Sequence, residues 1–164
     1  MLALLIGINE YRDKSIPNLT GATADCDNME IFLRTNLEEV HIVRLRNEKA
    51  TRKGIEKAIN DLANDNRISF DDPILIYYAG HGGEIGPPKA WKVPDGTSKI
   101  QMILPHDFIY QRTQGSNEGQ GLLDGTLREL LEKLSICKGD NIVSVCFSEH
   151  QIDASSPVDR GYRL

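Results

Sequence analysis

Apolar residues along this chain form two kinds of pattern, short unbroken runs and stripes with a three-to-four residue period, and their order predicts a fold. Leu2 to Ile8 is an apolar run of strand length. A helix is predicted from about Ala24 to Asn36, and His41 to Leu45 is a short β-rich run, so the opening third reads as one βαβ unit. Thr51 is placed to cap a second helix, in which Ile55, Ala58, Ile59 and Leu62 recur at i, i+3, i+4 and i+7 as one stripe facing a sheet. Pro73 to Ala79 is the third strand, the segment Glu84 to Lys99 with Pro87, Pro88, Pro94 and Gly96 is a loop, and Lys99 to Leu104 is a fourth strand. Thr126 and Glu129 have the spacing of a capping box before Leu127, Leu130, Leu131 and Leu134. Lys138, Gly139 and Asp140 stop that helix, and Asn141 to Phe147 is the last strand. Strands alternating with helices predict an α/β fold with a mostly parallel sheet covered on both faces. The domain is expected to span residues 1–147, with residues 148–164 as an irregular tail whose polar stretch from Gln151 onward shows no period.

Composition narrows the partners. A chain of 164 residues has single-domain length. Its net charge of −5 is spread along the whole length with no basic block to neutralise a row of phosphates, which argues against nucleic acid. Three cysteines, Cys26, Cys137 and Cys146, are an odd number at no metal-ligand spacing and fit a reducing compartment, so a cytoplasmic protein is expected. The apolar start is too short to span a bilayer and has no basic flank, which predicts a first strand and no membrane association.

Candidate chemistry begins at Gly80, His81 and Gly82, directly behind the apolar run Ile74 to Ala79. Ligands of open α/β sheets bind beyond the carboxyl ends of the strands, and an imidazole takes up and releases a proton near neutrality. The flanking glycines allow tight or positive-φ backbone and close approach of a substrate. The competing reading of the same triplet is a surface turn.

With four further segments, this triplet resembles the large-subunit part of the caspase-type cysteine peptidases, most closely the metacaspases. Ala3 to Tyr11 resembles the family's first strand, Leu19 to Asp25 the loop and helix start after it, and Tyr77 to Gly83 the strand and histidine motif. Met102 to Asp107 resembles a later strand, and Lys138 to Ile142 the lead-in to the nucleophile. The resemblance implies a three-layer α/β/α sandwich without its small-subunit part, and cysteine-type endopeptidase chemistry on protein or peptide substrates. It implies His81 as general acid and base, Gly82 as an oxyanion amide, and Asp25 as the acid that receives an Arg or Lys ahead of the cut. It also implies calcium dependence and contact with caspase-like relatives. Asp25 reads equally as a first-turn acid favoured by the helix macrodipole.

The pattern departs from the family after Ile142. Without a gap, the family's nucleophile falls on Glu149, its next histidine on His150, and the acid two residues before the nucleophile on Phe147. Deleting three residues puts Cys146 and Ser148 in the places of the family's Cys and Ser. That moves the thiol about 10 Å along the strand and turns it to the other face of the sheet. Cys146 is therefore either the nucleophile in a shifted register or a small buried hydrophobe of the last strand. With the small-subunit strands missing, an uncovered sheet edge is expected, with self-association through it.

Overall fold

The computed structural model describes residues 1–86, 99–110 and 119–153, the last five through their main chain only. Six strands and three α-helices follow in the order β1 (Leu2–Gly7), α1 (Ala22–Asn36), β2 (His41–Arg46), α2 (Arg52–Ala63), β3 (Ile74–Ile85), β4 (Ile100–Ile103), β5 (Leu122–Leu123), α3 (Asp124–Lys138) and β6 (Ile142–Asp153). β1 lies between β2 and β3, parallel to both, with Leu2 opposite His41 on one side and Ile74 on the other. β6 runs parallel to β3 along nearly its whole length, from Ile74 opposite Ile142 to Glu84 opposite Asp153. β3 therefore has β6 on one edge, and β1 followed by antiparallel β4 on the other, with β5 antiparallel to β4 beyond.

The two faces of the sheet bury different helices. Leu2, Leu4 and Ile6 of β1 and Ile74, Ile76 and Tyr78 of β3 point to one side, where they pack with Ile55, Ile59 and Leu62 of α2 and with Leu130 and Leu134 of α3. Ala3 and Leu5 with Leu75, Tyr77 and Ala79 point to the other side, against Ala22, Cys26 and Leu33 of α1. Burial on both faces is why β1 and the first half of β3 read as unbroken apolar runs rather than alternating ones. The result is the expected three-layer α/β/α sandwich.

Several boundaries move for identifiable reasons. α2 is capped as predicted, the Thr51 hydroxyl accepting from the Gly54 amide at 3.0 Å. The capping box of Thr126 and Glu129 does not form. Leu122 and Leu123 pair with β4, so the chain turns into α3 at once, with Leu123 at the cap position, and Thr126 already lies inside the helix. At the other end Gly139 takes φ +89°, as a helix stop requires. β3 does not end at Ala79. It continues through Ile85, so Glu84 and Ile85 belong to a strand, while Pro87, Pro88, Pro94 and Gly96 lie outside the described residues. β6 likewise runs six residues past Phe147, to Asp153, and residues 154–164 lie outside the described part. No helix among the described residues is long and apolar enough to cross a membrane.

Candidate functional site

His81 sits inside β3, not in a surface turn, and is 1% exposed. Both of its main-chain polar groups are held. Its amide donates to the Tyr11 hydroxyl at 2.7 Å, and its carbonyl accepts from the Tyr78 hydroxyl at 2.7 Å and the Leu104 amide at 3.0 Å. Tyr11 lies beyond the end of β1, and its ring also packs against the imidazole at 5.0 Å between centroids. Nε2 stands 2.9 Å from the Pro17 carbonyl oxygen. A carbonyl only accepts, so in the neutral ring the proton sits on Nε2, and Nδ1 is buried.

The glycines beside His81 supply space rather than unusual backbone. Neither Gly80 nor Gly82 has positive φ. A Cβ on Gly80 would come within 2.6 Å of the Tyr78 hydroxyl and 3.1 Å of that of Tyr11, and one on Gly82 within 2.6 Å of the Ser148 hydroxyl. The two tyrosines can close on His81 only because position 80 has no side chain. The Gly82 amide, predicted to serve an oxyanion, donates to Ser148 Oγ at 2.8 Å.

Cys146 is brought to a different place. The register sets it opposite Tyr78, and Ser148 opposite Gly80, with a β-bulge in β6 just beyond. Residues 149 and 150 together stand opposite His81. Cys146 shares the α3 side of the sheet with its partner Tyr78, whereas His81 has the parity of Tyr77 and Ala79, which face α1. The sulfur is thus three residues, about 10 Å, from the level of the histidine and on the opposite face. Cys146 is exposed, so it is not the small buried hydrophobe of the alternative reading, but the protein atoms around its sulfur partly desolvate the thiol and push its pKa above the usual range, which disfavours the thiolate. Cys146, Ser148 and Gly82 open instead onto a cleft of about 420 Å³, walled on the other side by Met102, Leu122 and Leu127.

Asp25 occupies the first turn of α1 and is half-buried. It lies close enough to Tyr77 and Cys26 for its charge, added to burial, to push both of their pKa values up, that of Cys26 to about 12. The Phe147 ring lies tilted against that of Tyr77, 5.7 Å between centroids. Asp25, Tyr77 and Phe147 therefore gather on the α1 face, the face that His81 also takes. Phe147 stands where the ungapped alignment expects the acid two residues before the nucleophile, and its side chain is an apolar ring. Among the described residues no three of His, Cys, Asp or Glu stand together.

Sequence reasoning missed the tyrosine clamp and the Pro17 carbonyl. Tyr78 looked like one more apolar residue of a buried run, and no local pattern connects Tyr11 or Pro17 to a histidine some 70 positions later.

A parallel-centred sandwich with a buried histidine on its middle strand defines a caspase-like α/β domain. The family model of the caspase domain, Peptidase C14, matches residues 1–130, and the chain belongs to that family. Among solved structures it is similar to protein GSU0716 from Geobacter sulfurreducens, with a TM-score of 0.65 and 21% identity. That match covers 94% of this chain and 51% of the other, so the chain spans about half the length of the solved relative. No curated protein matches it.

Proposed function

We propose that this chain is a metacaspase-like domain of the cysteine-endopeptidase family, of a kind that cleaves proteins after Arg or Lys. In this form it is catalytically silent and acts on caspase-like relatives or other proteins as an interaction or regulatory module. His81 keeps the role of general acid and base, Gly82 that of oxyanion amide, and Asp25 that of the acid for a basic side chain. The missing part is a thiolate beside the imidazole. One observation carries this reading: Cys146 pairs with Tyr78, a strand segment short of His81 and on the other face. A carboxylate at position 149 does not replace the sulfur, because the reaction needs a strong nucleophile that also leaves readily.

A second reading keeps Cys146 as the nucleophile. It is favoured by the shared cleft in which Cys146, Ser148 and the Gly82 amide meet. Labelling with an irreversible, arginine-directed, thiol-reactive peptide separates the two, with and without calcium, on the wild type, Cys146→Ala and His81→Ala. The silent domain shows no labelling that depends on His81. Labelling lost in both variants establishes Cys146 as a nucleophile activated by His81 and overturns the silent reading.

A further inference from the structure

We propose that the chain pairs with a second copy of itself through the outer edge of β6, antiparallel, about a two-fold axis at Val145. Among the described residues no strand covers that edge. Its regular part runs from Ile142 to Ser148 and is closed off by the bulge opposite His81. The seven residues Ile142, Val143, Ser144, Val145, Cys146, Phe147 and Ser148 include no charge and no proline, the devices that normally keep an edge strand from pairing. Val143 and Phe147 are each 55% exposed on the same face.

The hydrogen-bond phase of the strand selects the partner. The Ile74 amide donates to the Asn141 carbonyl at 2.9 Å, so in the evenly spaced parallel ladder the odd-numbered residues of β6 turn their amides and carbonyls toward β3. Ser144 and Cys146, in the middle of the segment, turn theirs outward, while at its start the Ile142 amide already donates to the Asp140 carbonyl at 2.7 Å. In an antiparallel pair, outward residues must meet outward residues. Centring the segment on itself satisfies this at its middle: Ser144 meets Cys146 of the second copy and Cys146 meets Ser144, each pair exchanging two hydrogen bonds. The same register sets Val143 opposite Phe147 of the second copy, and Val145 opposite itself in a non-hydrogen-bonded pair. Both exposed apolar side chains are covered by one operation, and the contact closes as an isologous dimer. A shift by two residues keeps the hydrogen bonds but sets Val143 opposite Val145 or Glu149, separating it from Phe147. The edge is therefore most complementary to its own copy, and this holds whether or not the chain cleaves peptides.

Sedimentation velocity of the whole chain tests the proposal. The expected mass is twice the 18.3 kDa of one copy. Val143→Lys puts a charge on the exposed face, and Ser144→Pro removes an outward amide without breaking the ladder to β3; each is expected to halve the mass with an unchanged far-ultraviolet circular dichroism spectrum. Val145→Cys places two sulfurs across the axis on Cα atoms about 4.5 Å apart, inside the roughly 4.4–6.8 Å span that disulfides bridge. Mild oxidation should give a covalent dimer joined at position 145. A wild-type chain with the mass of one copy overturns the proposal and leaves the edge to a strand of another polypeptide. A dimer that persists in both charge and proline variants, or one that crosslinks only through Cys137 or Cys146, overturns it equally.

Discussion

Tyr11 and Tyr78 hold the same residue by different means, and their removal should differ in cost. Replacing Tyr11 with Phe strips the acceptor from the His81 amide inside the core, and an orphaned buried donor costs about 1–3 kcal/mol. Replacing Tyr78 with Phe leaves the His81 carbonyl with the Leu104 amide but takes the donor from the buried Leu104 carbonyl, which the same hydroxyl reaches at 3.0 Å, so two bonds are lost and one buried acceptor is orphaned, at about 2–4 kcal/mol. Urea unfolding of the two variants should rank Tyr78→Phe as the more destabilised; a Tyr78→Phe variant as stable as the wild type would remove the clamp from the account of the site. The cysteines give a second residue-scale prediction. Because partial desolvation raises the pKa of the Cys146 thiol although the residue itself is exposed, its thiolate fraction near neutrality is small and grows as pH rises toward the raised value. Alkylation by iodoacetamide, mapped by mass spectrometry, should be slower at Cys146 than for a free cysteine at pH 7 and accelerate through alkaline pH. Cys26, with a pKa near 12 and 3% exposure, should stay unmodified in the folded protein. A Cys146 that reacts faster than a free thiol at pH 7 would restore it as a candidate nucleophile.

At the level of elements, α2 is the helix whose sequence signals and structure agree most closely. Its apolar stripe, its Thr51 cap and its end are all local properties, and local properties are what a sequence displays. Thr51→Ala should cost about 1 kcal/mol through the lost cap. Gly54→Ala is more informative. In an exposed helix that change ordinarily gains up to about 1 kcal/mol. Here a Cβ would lie 2.5 Å from the Lys49 carbonyl oxygen, so thermal unfolding should show a loss instead. Elements set by distant partners were less legible. The extension of β3 past Ala79 depends on β4 and β6 flanking it, and the two-residue β5 exists only because β4 lies alongside. The apparent capping box of Thr126 and Glu129 was overridden by that same pairing. For the site, the motif around His81 and the place of Asp25 could be read from local sequence. The position of Cys146 could not, because a strand register is fixed by the ladder it joins, and a shift of three residues changes both the level and the face.

For the whole molecule, the division of β3 between two neighbours on one edge and a single long neighbour on the other has a consequence for dynamics. Its amides from Leu75 to Ala79 are enclosed by β1 and β6, and by a helix layer above and below. No fraying of an end or excursion of a loop releases them; they meet solvent only when the whole sandwich comes apart. Hydrogen–deuterium exchange should therefore find this stretch the slowest in the protein, with a protection free energy equal to that from denaturant unfolding, while β2 exchanges earlier. Faster exchange in β3 than in β1 would mean that the central strand opens on its own. If the expected order holds, the histidine is anchored to the last part of the chain to lose its structure, and its surroundings keep their shape through every partial opening the protein undergoes.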